Sequence, residues 1–468
     1  MEKAPNLINH YFDMEAYSIN PSVKYQIINS PEILSKEVSP SILESKNANL
    51  IDDGKWYINW IKDNLGEDYL DEINNIVFND TRLINLDINT QAVITMPVSA
   101  LSDSFNIYRT LEMYNSQKCS SLFNIPIILW VNLLESTENN ENNQSKIRAT
   151  LSEIDRAKQD FKDVSIIDLY YLVPNEIVKN TNRTGGPWGS IVRRMYDIAA
   201  ISSINLANKS KERDSDVLIL RNDSDPIRLD DKYIESWASI ANGKHEIAYQ
   251  GYSRFGSFNE SSYPGLSLYM NFVKKHDEII GHNNRFQAAN FAFNASSYCQ
   301  MAGMGVPYFT GIGSCDALLG ERLKAVNKIK DPSLCDKEII KFTEIGLITD
   351  WSRPLAAYLN GVNPRNAWTT WSENKEGMKQ RDADIVKEQD FARETIDETI
   401  SRVEIYINET LESINDKEIT EILEGFFERG NYYYSNGLFK FTDKGKEFVC
   451  DFYESGLAYD EYIKKLEQ

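Results

Sequence analysis

A basic stripe, a long apolar run, a paired-cysteine motif and an internal repeat are all missing from this 468-residue chain. Acidic side chains outnumber basic ones, 70 Asp and Glu against 50 Lys and Arg, for a net charge of −20. A duplex-binding protein carries clustered Lys and Arg for the phosphates, so nucleic acid is not the expected partner. The five cysteines, Cys119, Cys299, Cys315, Cys335 and Cys450, show no CxxC spacing. That pattern excludes a cysteine zinc site and fits a reducing compartment. No run of 18 apolar residues occurs, and the opening MEKAPNLINHYF lacks a basic-then-apolar leader pattern. A cytoplasmic protein without a transmembrane segment is therefore expected. With 42% apolar and 26% charged residues, the composition is that of an ordinary globular protein.

What is present has an order. Residues 1–87 read as a mainly helical extension, its apolar positions Trp56, Trp60, Tyr69, Ile73 and Ile76 recurring at roughly helical spacing. From residue 88 strand and helix patterns alternate. Strands are expected at Ala92–Met96, Ile125–Val131, Val164–Leu169 and Val217–Leu220, with helices around Ile107–Tyr114, Ile147–Phe161 and Val192–Leu206. Glu135–Gln144 reads as a polar loop. Such alternation implies an α/β fold, a Rossmann-type, mostly parallel sheet flanked by helices. The catalytic region is expected over 88–375. Residues 376–468 are expected as a helical appendage with a hairpin at Asn436-Gly437, a two-residue turn signal, and a final helix over 443–466. It is a candidate for homo-oligomerisation.

The chemistry centres on Asp223-Ser224-Asp225. The aliphatic run Val217–Leu220 leads into it and Pro226 follows. Open α/β sheets bind ligands beyond the carboxyl ends of their strands. Two carboxylates spaced by two there suit a hard divalent cation, which in turn can hold a diphosphate. An isolated Asp-x-Asp is more often a surface loop; the preceding strand and helix argue for the cation site. Upstream, Arg183-Thr184-Gly185-Gly186-Pro187-Trp188-Gly189 precedes a helix carrying Arg193 and Arg194. Glycines permit close backbone approach, and a helix start with nearby Arg favours an anion, although a plain loop and cap explains the stretch equally well.

This succession of parts resembles the GT-A glycosyltransferases, especially the family-2-type group, over roughly residues 90–330. The resemblance implies a nucleotide-cupping loop at Pro97 and Ser99, and base recognition near Asn132, where the family often has Asp. It implies donor contacts from Gly189, Arg193, Arg194 and Asp223. Asp223 and Asp225 would hold Mn²⁺ or Mg²⁺, with Asp225 the direct ligand. Cys315-Asp316 matches the family's Glu-Asp pair at a helix start, with Cys in place of Glu, so Asp316 is the implied general base of an inverting transfer. A carboxylate there is also an ordinary helix cap. Acceptor contacts are implied for Tyr298, in the small-residue segment before Gly303 and Gly305, and expected for His282 and Trp351. The cluster Trp351, Tyr358, Trp368 and Trp371, with Arg353 and Arg365, fits either sugar stacking or closure of a core. The four histidines, His10, His245, His276 and His282, all precede Asp316, so the late histidine many such enzymes use as a third metal ligand is missing.

The expected partners are thus a nucleotide-sugar donor, UDP- or GDP-linked, and a glycan, small-molecule or protein acceptor. The alternative is a catalytically degenerate GT-A-like protein that binds nucleotide-sugar or glycan. Two other readings fail on residues. A nucleotidyltransferase needs a Gly-rich, Arg- and Lys-bearing loop after the first strand, where Met96-Pro97-Val98-Ser99-Ala100-Leu101 stands. A haloacid-dehalogenase-type phosphatase needs a Thr-like residue where Ile227 stands.

Overall fold

The computed structural model of the protein describes residues 37–45, 47–101, 103–117, 125–135, 141–173, 188–210, 216–241, 247–256, 262–279, 286, 290–305, 315–350, 352–366, 393–412 and 414–466. In chain order these form helices α1 (Leu50–Asn64) and α2 (Glu67–Asn79), strand β1 (Ala92–Ser99), α3 (Ile107–Asn115), β2 (Ile127–Leu134), α4 (Glu141–Asp160) and β3 (Ile166–Val173). Then come α5 (Trp188–Lys209), β4 (Leu218–Asn222), β5 (Pro226–Leu229), α6 (Tyr233–Ala241), β6 (Ala248–Gly256) and α7 (Pro264–Ile279). Next are β7 (Asn290–Asn294), α8 (Ala295–Gln300), α9 (Cys315–Lys330), β8 (Ile340–Asp350) and α10 (Ser352–Leu359). The chain finishes with α11 (Ile396–Leu411), α12 (Asp416–Phe426), β9 (Tyr432–Ser435), β10 (Leu438–Phe441), α13 (Asp443–Ser455) and α14 (Tyr459–Leu466). Two compact units result, Met1–Ser253 with Asn284–Leu347, and Arg254–Asn283 with Ile348–Gln468.

The first unit is built on an eight-stranded sheet of order β3-β2-β1-β4-β7-β6-β8-β5. Strands β3, β2, β1 and β4 run parallel, and β7 enters antiparallel beside β4. The expected α/β class, a mostly parallel sheet flanked by helices, is what forms. Its strands are nearly continuous apolar runs because both faces are covered. Alternation by two divides them between two cores. Val93, Ile128, Trp130 and Ile219 face one core with Tyr57 and Ile61 of α1, Ile73 of α2 and Met195 of α5. Ile94, Met96, Leu129 and Leu220 face the other with Leu111 of α3, Ile154 of α4 and Trp237 of α6. Helix α4 begins inside what reads as a polar loop, since its Glu and Gln residues tolerate helix well and Ile147, Thr150, Ile154 and Ala157 supply the buried stripe.

The second unit is helical around one apolar core that includes Tyr269, Phe272, Val403, Ile407, Phe439 and Phe452. Its hairpin turns at Asn436 (φ 53°) and Gly437 (φ 75°), the left-handed pair that an Asn-Gly turn supplies. The single final helix expected over 443–466 is two, because Gly456 takes the left-handed conformation and ends α13. Tyr358 is fully buried here, its hydroxyl 2.6 Å from Glu394, and Arg365 pairs with Asp277 at 3.2 Å. Tyr358 therefore belongs to the core of this unit. Among the described residues no helix is long and apolar enough to cross a membrane.

Candidate active site

The carboxyl ends of β1, β2 and β4 lie side by side. Ser99 stands opposite Asn132 in the β1–β2 register, and the buried Asn132 amide donates to the Val98 carbonyl at 2.7 Å. Thr95 of β1 is level with Arg221 of β4, two residues before Pro97 and Asp223 respectively. Parallel pairing thus delivers Pro97, Ser99, Asn132 and Asp223 to one edge of the sheet. Asp223 and Asp225 are half-buried and flank the buried Ser224.

Arg221 lies almost wholly buried and pairs through Nη1 with Asp223 at 2.6 Å. The same nitrogen donates to the Asn222 carbonyl. Burial works against this guanidinium's charge, but Asp223, Tyr196 and Asp316 facing it hold its pKa above the usual value. Asp316, in the first turn of α9, is buried and accepts from the Tyr196 hydroxyl of α5 at 3.3 Å. Burial pushes its carboxyl above the ordinary range; Arg221 pulls it back and Asp223 adds to the rise. Groups from β4, its following loop, α5 and α9 therefore influence one another: Arg221 is paired with Asp223, Tyr196 is bonded to Asp316, and the charges of Arg221 and Asp316 act on each other.

Other expected site residues are placed elsewhere. Arg193 is fully buried, bonded to Asp197 at 3.2 Å and to the Gly305 carbonyl. Arg194 forms a forked pair with Glu72 of α2 at 2.7 and 2.9 Å and lies over the rings of Tyr69 and Tyr171. Buried charges need partners, and these two have them on the α1–α2 side of the sheet. Tyr298, expected on the acceptor side, is fully buried with its hydroxyl on Asp197 at 2.7 Å. Gly189 is the second residue of α5. The stretch 183–187, His282, Trp351, Trp368 and Trp371 lie outside the described residues.

Sequence reading missed Tyr196 and Arg221. Tyr196 sits among Met195, Ile198 and Ala199 and reads as core filler. Arg221 carried a signal, an arginine closing an aliphatic strand two residues before a carboxylate. Among the described residues, no three His, Cys, Asp or Glu side chains gather as a metal cage. Magnesium commonly takes one or two carboxylates and completes its shell with water and substrate phosphate oxygens. Asp223 and Asp225, both half-buried, supply two carboxylates, a number that suits a cation of that kind.

The fold and this edge define an α/β protein with an acidic cluster and a buried Arg221–Asp223 pair at the end of its central parallel strands. No protein-family model matches the chain, and no curated protein matches it. Among solved structures it is similar to the mannosyltransferase PcManGT of Pyrobaculum calidifontis in complex with GDP-Man and Mn²⁺, at 8% identity and TM-score 0.33, over 84% of this chain and 96% of that one. It is also similar to TarS of S. aureus, at 10% identity and TM-score 0.30, over 75% of this chain and 96% of that one.

Proposed function

We propose that the chain is a glycosyltransferase that moves a sugar from a nucleoside-diphosphate donor to an acceptor hydroxyl, with inversion and with Asp316 as general base. The observation that carries this reading is the convergence of Asp316, Tyr196, Arg221 and Asp223 at the carboxyl end of β4. Asp316 takes the acceptor's hydroxyl proton as its oxygen bonds to the anomeric carbon, and the bond from that carbon to the diphosphate breaks. A carboxyl whose pKa is raised is a stronger base for that step than an exposed one. The Tyr196 hydroxyl orients it, and Arg221 places a fixed positive charge beside the developing anion. Asp223 and Asp225 would hold Mn²⁺ or Mg²⁺, which supplies charge neutralisation to the departing diphosphate. Pro97, Ser99 and Asn132 line the nucleotide side.

Titrating UDP, GDP and their sugar conjugates with and without Mn²⁺ tests the donor half. Metal-dependent binding is expected, and Asp225→Ala should abolish it. Absence of binding by every donor sinks the reading. A second reading, binding without turnover, draws on the Arg221–Asp223 pair, in which Asp223 is already neutralised by the protein. It predicts donor binding with no donor hydrolysis.

A further inference from the structure

No motif points to Asp103, yet it touches both halves of the proposed donor site. Asp103 opens the short 3-10 turn Asp103–Phe105, four residues beyond the end of β1. Its Oδ2 accepts from the backbone N–H of Ser99 at 2.7 Å and from the hydroxyl of Ser224 at 2.6 Å. The first contact is local and any turn-forming Asp supplies it. The second spans 121 residues and has no local explanation. Ser224 is held from its other side as well, its carbonyl accepting from Thr110 Oγ1 of α3 at 2.9 Å. Both Ser224 and Thr110 are buried, so water competes little for these bonds. The residue between the two acidic side chains is thus fixed through its hydroxyl and its carbonyl, in each case by the segment that follows β1. Asp223 and Asp225 cannot swing about Ser224 without breaking one of those bonds.

We propose that Asp103 is a positioning residue that, with Thr110, ties the nucleotide-side loop at Ser99 to Ser224 and so sets how Asp223 and Asp225 present their carboxylates to a cation-bound diphosphate. This rests on the donor-site reading above. The nucleoside end and the diphosphate end of one donor would sit on different strand ends, β1 and β4. A bond linking those loops fixes their separation before the ligand arrives, which reduces the ordering cost of binding.

The test uses the full chain with Asp103→Ala, Asp103→Asn, Ser224→Ala and the Asp103→Ala/Ser224→Ala double variant. Ligand-free amide hydrogen exchange over residues 221–226 reads the tether, and Mn²⁺-dependent binding of UDP and GDP reads its consequence. Each alanine variant should speed exchange there and weaken metal-dependent binding about tenfold, the lower range for loss of an outer-shell partner. The double variant should lose no more than the stronger single one, because both remove the same bond. Asp103→Asn, whose amide oxygen still accepts, should retain most of the protection. A merely structural role would lower the melting temperature and leave the Mn²⁺ midpoint in place. Unchanged exchange at 221–226 in Asp103→Ala, or losses that add in the double variant, overturns the proposal. If exchange responds as expected while the unmodified chain binds neither UDP nor GDP, the tether stands and the donor-site reading falls. Should Asp103→Ala fail to fold, Ser224→Ala removes only a hydroxyl and reads the same bond.

Discussion

Two arginine–aspartate pairs in the first unit invite comparison. Arg193 and Asp197 sit one helical turn apart on α5, both fully buried, at 3.2 Å. Three phenols, from Tyr57, Tyr69 and Tyr298, donate to the same aspartate at 2.6–2.7 Å. Burial first, and Asp197 second, push all three phenols well above their usual pKa, so they remain donors. Arg221 and Asp223 make a shorter pair, 2.6 Å, but Asp223 remains 29% exposed. Every lone pair of the first aspartate faces protein, whereas the second keeps a side open to solvent. A buried pair survives desolvation only when fully hydrogen-bonded, and that is the condition of Asp197. The open side of Asp223 is where a ligand can compete. Tyr196, on the same turns of α5, links the two: its ring packs edge-on against Tyr298 while its hydroxyl reaches Asp316.

The largest effect that sharpens this contrast is expected at Asp316. Asp316→Asn should lower kcat by about 10²–10⁴-fold, the usual contribution of a positioned base, with metal-dependent UDP or GDP binding retained. Its pH signature follows from the raised carboxyl. Activity should fall as pH drops through a pKa above the ordinary aspartate range, and the acid limb should vanish in Asp316→Asn. The stability sign is opposite to that of a depressed carboxylate. A folded-state pKa above the unfolded one means the folded protein holds the proton more tightly, so stability declines as pH rises from the unfolded to the folded value. Asp316→Asn should therefore melt higher than the parent chain at neutral pH. A lower melting temperature would assign Asp316 to the scaffold.

Asp197→Ala should show the reverse profile. Leaving Arg193 buried and unpaired costs about 3–5 kcal/mol, to be read by thermal or urea unfolding, and donor binding per folded molecule should hold. Asp223→Ala also takes the 2.6 Å partner from the buried Arg221, so it should destabilise too. The loss should be smaller than for Asp197→Ala, because Asp316 still acts on that arginine. Of the two, only Asp223→Ala should abolish metal-dependent nucleotide binding. If the two variants behaved alike, the distinction between a sealed and an open pair would fail.

A fourth carboxylate gives the smallest expected effect. Asp168 of β3 is opposed by burial, but hydrogen bonds from Tyr170, Lys158 and Arg82 outweigh it and hold the carboxyl below its usual range. That stability is present above the unfolded pKa and is lost as pH falls through the folded one. Asp168→Asn should cost about 1–3 kcal/mol at neutral pH, and the difference from the parent should shrink in acid. A gap that widened as pH fell would contradict this assignment.

Periodic features were the legible part. The strands announced themselves as aliphatic runs because a sheet covered on both faces needs apolar residues at every position. Asn436-Gly437 announced its turn because few other pairs accept two left-handed residues. Helix ends were less legible: α4 starts within polar residues, and Gly456 breaks a pattern that runs on to Leu466. The site divided similarly. Asp223 and Asp225 stood out from their spacing and strand context, and Asp316 from its place at a helix start. The partners of Arg193, Arg194 and Tyr298 were not legible, because residue type does not disclose them. Glu72 lies 122 positions from Arg194, and Asp197 lies 101 from Tyr298.

By itself the sequence determined the alternation of strands and helices, the two-sided burial of the sheet and the acidic triplet after Leu220. These follow from local chemistry, since period, turn propensity and strand composition act within a few residues. Only the tertiary structure decided which charges meet. Asp316 meets Tyr196, 120 positions away, and Ser224 meets Asp103, because α9 packs against α5 and parallel pairing sets β1 beside β4. Charge interactions depend on distance and burial in space, and neither quantity is written along the chain.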